Sequence, residues 1–316
     1  MTLFFRASTA LFSAVLFGSV ALLTVGGCPG PDPQLLEGGG GTSNTTTTGG
    51  MGGDGGEGGV GTGGGQGGSG GSEDCDCDML DVLIVIDNTD AIDGFVGDLA
   101  PAAFELIATF EGVAERVCSL HVGAVTSRPQ EQNDPPCDNV LGALSRNNAS
   151  GNSCNLSAGS YATEDDDLQS AVLCLVNPGT DGFGNERIAD ALLAALSPEL
   201  NAPGACNDGF FRPEAPLLVV IISSVEDDDS NGEPSEWFGD LVQLNQFNTG
   251  NIASIGVIGP ITAQGGCAAD PSPRLHAFLN EHNVDNQASA LICNVDTMDL
   301  KDGADRMIEA VCPLPR

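Results

Sequence analysis

Three runs that are apolar but for Asp81 and Ser254, at residues 81–86, 217–222 and 252–258, constrain this chain more than any other feature. Each is too short for a helix and apolar at every second position on both sides, the pattern of a strand buried on both faces of a parallel sheet. Residues 119–125 and 290–295 read as further strands. Helical spacing recurs between them. Ala103, Leu106, Phe110, Val113 and Val117 share one face, with Pro101 suited to a first turn. Ile188, Leu192 and Leu196 mark a second helix, and Phe238, Leu241 and Val242 a third. Ser272-Pro273 reads as an N-cap followed by proline, with Leu275, Phe278 and Leu279 facing inward, and Leu300, Ala304, Met307, Ile308 and Val311 mark the last. Such alternation predicts an α/β fold with a doubly wound, mostly parallel, Rossmann-like sheet and helices on both faces. Residues 127–163 interrupt it as a long polar stretch, with short edge strands expected near residues 142–144 and Tyr161.

What precedes this domain cannot enter a core. Residues 1–27 carry Arg6, an apolar run over 11–25 and two glycines before Cys28, the layout of a lipoprotein signal segment with Cys28 as the lipid-attachment residue. Residues 28–72 are rich in glycine and threonine and read as a flexible tether, roughly 35–40 Å long as a random coil. Residues 73–316 then form the globular domain. The expected location is a bacterial envelope membrane, reached through the lipid, with the domain facing periplasm or cell exterior. Against 44 Asp and Glu the chain has 10 Lys and Arg, a net charge of −34, so no basic surface exists for nucleic acid.

Cysteine usage points the same way. Beyond Cys28 the chain holds Cys75, Cys77, Cys118, Cys137, Cys154, Cys174, Cys206, Cys267, Cys293 and Cys312, an even set without a Cys-x-x-Cys pair. Disulfides in an oxidising compartment account for it better than thiolate metal sites. Proximity along the chain suggests Cys137 with Cys154, and fastening of the termini suggests Cys312 with Cys75 or Cys77.

In doubly wound sheets ligands bind beyond the carboxyl ends of strands, which directs attention to Asp87-Asn88-Thr89-Asp90-Ala91. With the strand before it, this segment resembles the opening motif of a von Willebrand factor type A domain, in which Asp-x-Ser-x-Ser holds a divalent cation. Asp87 matches the aspartate and Thr89 keeps the first hydroxyl, whereas Ala91 lacks the second and Asp90 replaces a small residue. The resemblance implies that Thr180, in Asn177-Pro178-Gly179-Thr180-Asp181-Gly182, contributes a further hydroxyl. It places the family's last aspartate at Ser224 counting from the strand, or at Glu226 or Asp227 counting back from the acidic run. The implied ligand set is Asp87, Thr89, Thr180 and Asp227, with Ser224 as the alternative, around Mg²⁺ or Ca²⁺; an open coordination position would accept a partner's carboxylate.

Asp227-Asp228-Asp229-Ser230-Asn231-Gly232 also fits the first half of an EF-hand loop, but the twelfth place is Phe238 and Glu236 comes too early, so a solvated acidic turn is the preferred reading. With three histidines, His276 and His282 among them, zinc is not expected. Motifs of hydrolases, nucleotide binding and zinc proteases are missing, so no enzymatic activity is expected. Two functions follow: a tethered module that recognises a protein or glycan through a divalent cation, or a structural and assembly lipoprotein whose A-type domain works without metal.

Overall fold

The computed structural model describes Cys75 and residues 77–180 and 186–312, all within one unit, Gly65–Arg316. The expected signal segment 1–27, Cys28 and the tether 28–72 lie outside the described residues. Among the described residues no helix is long and apolar enough to cross a membrane.

The apolar runs form the sheet. Its strands are β1 (Leu80–Ile86), β2 (Leu120–Thr126), β3 (Ala162–Thr163), β4 (Leu217–Ser223), β5 (Ile252–Ile258) and β6 (Gln287–Leu291), in the order β3-β2-β1-β4-β5-β6. All neighbours run parallel except β3, which closes the edge beside β2 antiparallel. The helices are α1 (Val96–Ala114), α2 (Leu168–Leu175), α3 (Ile188–Ala195), α4 (Pro198–Asn201), α5 (Pro234–Leu244), α6 (Pro273–Asn280) and α7 (Thr297–Val311). Alternation along the strands divides the core in two. Val82, Ile84 and Ile86 of β1 join Val220 and Ile222 of β4 beneath α1, α2 and α7. Leu83 and Val85 join Val219 and Ile221 beneath α3, α5 and α6. At roughly 1.5–3 kcal/mol for each large side chain taken out of water, these two layers are the main source of stability. The doubly wound, mostly parallel α/β architecture expected from the sequence is the one observed.

Several local expectations are corrected. Pro101 sits inside α1, because the helix starts at Val96 behind a 3-10 turn at Asp90–Phe95. Residues 142–144 form no strand: the Leu144 N–H donates to Asn207 Oδ1 at 2.9 Å, and Gly142 is in the left-handed region with φ 81°, so only the neighbouring Ser145 N–H reaches β2, at Ala124 O. β6 begins and ends earlier than residues 290–295, since the Ile292 N–H makes a last bond to Ile258 O and Cys293 is drawn into a bridge with Cys267. The periodicity did not disclose α2, a short helix capped by Asp167, which accepts the Ser170 N–H.

The bridges are Cys75–Cys118, Cys77–Cys312, Cys137–Cys206, Cys154–Cys174 and Cys267–Cys293. Cys312 takes Cys77, one of its two expected partners. The expected Cys137–Cys154 bridge is not formed, because the long loop packs outward onto its surroundings instead of closing on itself. Asn207 Nδ2 donates to Gly142 O, and Arg146 donates to Cys206 O, which carries Cys137 to Cys206; Cys154 lies against α2 and its Cys174.

Candidate functional site

The chain leaves β1 for β2 on one side of the sheet and later returns to build β4, β5 and β6 on the other. A crevice at the carboxyl ends of β1 and β4 is the usual consequence of such a switch. In register, Ile86 stands beside Ile222, and the Asp87 N–H donates to Ile222 O at 2.8 Å. The loop after β1 therefore starts against the loop after β4.

Asp87 is fully buried at this junction. Its Oδ1 accepts the Thr89 N–H at 2.9 Å, and its Oδ2 accepts the Ser224 hydroxyl at 2.9 Å and the Ser224 N–H at 3.3 Å. Asn88 turns the other way, where its Oδ1 accepts the Ser127 hydroxyl. Thr89 is 2 % exposed, and its Oγ1 is buried without any hydrogen-bond partner. A buried hydroxyl left unpaired costs about 1–3 kcal/mol.

Thr89 lines an open cleft of about 700 Å³ built from the loops after β1, β4 and β5 and from Glu186 ahead of α3. Its walls carry Asp90, Glu186, Glu226, Asp228 and Asp270, against one cationic side chain, Arg274. The Ser224 carbonyl accepts the Asp270 N–H at 2.9 Å, which ties the second and third loops together. Gly259 makes that approach possible, since a side chain there would collide with the Asp270 carbonyl. Arg274 is committed elsewhere: its guanidinium donates to Asp227 O and Gly232 O and stacks 4.6 Å from the Trp237 ring.

Thr180 is not among the cleft residues. It borders a second, mainly apolar cavity of about 480 Å³, shared with Asp87 and with Leu99, Leu106 and Leu173 of α1 and α2. Residues 181–185, with the rest of the motif that suggested Thr180, lie outside the described residues. Asp227 points away from Asp87. Its Oδ2 accepts the Ala189 N–H in the first turn of α3 and its Oδ1 accepts the Ser230 N–H, while burial raises its pKa against the pull of those bonds. Between the two alternatives, geometry places Ser224 beside Asp87. The acidic turn after β4 is used for capping: Asp190 accepts from Asn231, and Glu236 reaches back to the Glu233 N–H in the capping box that opens α5.

A hard divalent cation takes oxygen donors, and Mg²⁺ keeps several of its waters. The oxygens on offer are Thr89 Oγ1, which is unpartnered, and Ser224 Oγ, whose proton goes to Asp87 and whose lone pairs remain. The Asp87 carboxylate stands behind both. That set lacks the hydroxyl that Ala91 does not supply, and Ser224 is not among the residues that line the cleft. Among the described residues no group of three or more His, Cys, Asp or Glu is arranged to hold a metal.

No protein-family profile and no curated protein matches the chain. Among solved structures, three of proximal thread matrix protein 1 from the mussel byssus are similar to it, at 11% identity and TM-scores of 0.41 to 0.42. They cover 75% of this chain, which spans 47–49% of the mussel chain, about half its length. One of the three is described with a zinc-occupied MIDAS motif. At such distance nothing carries over to Asp87, Thr89 or Ser224.

A second polar cluster, which the sequence did not reveal as one, lies at the opposite end of the sheet. Asp81, fully buried, accepts the Arg212 Nε–H at 2.8 Å and the Arg212 N–H at 2.7 Å. Arg212 also donates to the Ser119 hydroxyl and to Leu80 O, and His121 Nδ1 lies 2.7 Å from Phe210 O. Burial pushes the Asp81 carboxyl up to about 7, with Arg212 working against it, and burial also lowers His121. The cluster clamps the segment before β4 onto β1 and β2. Its signal was available: a charge inside an apolar strand requires a partner.

Proposed function

We propose that this protein is a membrane-tethered, extracytoplasmic binding module of the von Willebrand factor A-like kind, which recognises a protein or glycan partner at the cleft beyond β1 and β4. A hydrated Mg²⁺ or Ca²⁺ at Thr89 Oγ1 and Ser224 Oγ, with Asp87 behind, assists that contact. One observation carries the reading: the buried, unpartnered Thr89 hydroxyl at the wall of an open cleft beyond β1 and β4. The role proposed is recognition without catalysis.

The test is thermal unfolding of the full chain with Mg²⁺ or Ca²⁺ up to millimolar concentration. A ligand that binds only the folded state raises the melting temperature. The rise is expected in the natural chain and not in Thr89→Val, which removes the hydroxyl and keeps the shape. No rise with either cation would sink the cation-assisted form. The second reading, a structural or assembly lipoprotein without metal, draws on Asp87 itself: its oxygens already have three protein donors and need no ion to remain buried.

A further inference from the structure

From the charge and pairing of the cleft walls we infer that the group this cleft receives from its partner is a basic side chain, a lysine ammonium or arginine guanidinium. The inference rests on the cleft being the binding site proposed above and specifies the chemistry of what enters it. Five carboxylates line the cleft and one guanidinium does. That guanidinium is held in place by two backbone carbonyls and the Trp237 ring, so two of its donors and one of its faces are already engaged. Glu226 is engaged by the Asp227 and Arg274 N–H groups. Asp90, Asp228 and Asp270 are exposed, and their carboxylates make no hydrogen bond or ion pair among the described residues.

Carboxylates that face one cleft raise the local concentration of positive charge and repel a partner's acid. A single divalent cation at Thr89 would leave the walls net negative, so the preference for a basic group holds with or without metal. Thr89 adds the second element. When no cation is bound there, its unpartnered oxygen is the acceptor that an ammonium or guanidinium donor meets. Three free carboxylates with one waiting acceptor make a receptor for a donor-only cation.

The experiment titrates the full chain with Nα-acetyl-lysine amide, Nα-acetyl-arginine amide, Nα-acetyl-aspartate amide and Nα-acetyl-glycine amide by calorimetry, once in EDTA and once in Mg²⁺. The basic probes are expected to bind in both buffers, more weakly as salt rises, with the glycine probe silent. Asp228→Asn with Asp270→Asn should weaken them about fivefold. Glu281→Gln with Asp285→Asn, the same change of charge on exposed residues away from the cleft, should leave them unchanged. Thr89→Val should weaken them about threefold without lowering the melting temperature. Preference for the aspartate probe in Mg²⁺ would overturn the inference and leave the cation-assisted module standing. Equal weakening by both double variants, or no binding of the basic probes, would also overturn it; a melting temperature raised by Mg²⁺ in the same samples reports separately on the module.

Discussion

The Ser224 hydroxyl donates to Asp87 Oδ2 at 2.9 Å, so residues 137 positions apart join the loops after β1 and β4 at the carboxyl end of the sheet. This bond explains why a carboxylate is tolerated with no exposure: three donors replace the water it lost.

Asp87→Ala would strand the Thr89 N–H and both Ser224 donors, and a stability loss of about 3–4 kcal/mol is expected. Ser224→Ala removes one of them and should cost about 1–2 kcal/mol. Urea unfolding midpoints measure both; a loss under about 1 kcal/mol for Asp87→Ala would show that the carboxylate is not held as described.

At the other end of the sheet, Arg212→Met should be more damaging than any exposed charge change. It leaves Asp81 buried with the residue 212 backbone N–H but without its guanidinium partner, at a cost of about 3–5 kcal/mol. Asp81→Asn with Arg212→Met should recover part of this, and a double-mutant cycle on urea midpoints gives the coupling. Additive effects would exclude a direct pair.

His282 gives a pH dependence of definite sign. Its ring is buried against Phe238 and Phe278, Nε2 accepts from the Ser254 hydroxyl and Nδ1–H faces Phe278 O, so the neutral form is held and burial lowers the pKa to about 4. The unfolded chain, with an ordinary histidine near 6.5, takes up the proton first as pH falls. The contribution is therefore complete above 6.5 and is lost as pH falls toward 4, by about 3 kcal/mol. The stability difference between the natural chain and His282→Gln, followed from pH 7 to 4, should shrink by about that amount. A constant difference would mean that the imidazole is not kept neutral.

The Cys77–Cys312 bridge joins the start of β1 to the end of α7 across 235 residues. Cys77→Ser with Cys312→Ser should lower stability by about 4–5 kcal/mol through the freedom returned to the unfolded chain. Cys154→Ser with Cys174→Ser, which opens a much shorter loop of 20 residues, should cost about 3 kcal/mol. The order of the two losses, read from denaturant midpoints, is the check.

The local pattern was sufficient for the layers. Strands β1, β4 and β5 are apolar apart from Asp81, Ser223 and Ser254 and are buried over their whole length, so parallel pairing beneath two layers of helices follows from residues close in sequence. Asp87 was legible for the same reason, as the first polar residue after β1. Its partner was not: Ser224 and Asp227 lie three residues apart, and only the departure of the chain from β4 turns the first toward Asp87 and the second toward the Ala189 N–H.

What this sequence determined by itself is therefore the periodic part: which segments are strands, which faces are apolar, and that the first strand ends on a carboxylate. Tertiary structure alone decided the pairings between distant residues, namely Asp81 with Arg212, Cys137 with Cys206, Asp87 with Ser224, and the exposed carboxylates with one cleft. The physical reason is range. Apolar periodicity is a property of neighbours along the chain, whereas a hydrogen bond, a disulfide or a shared cleft depends on where the sheet register and loop paths bring residues that the chain itself keeps far apart.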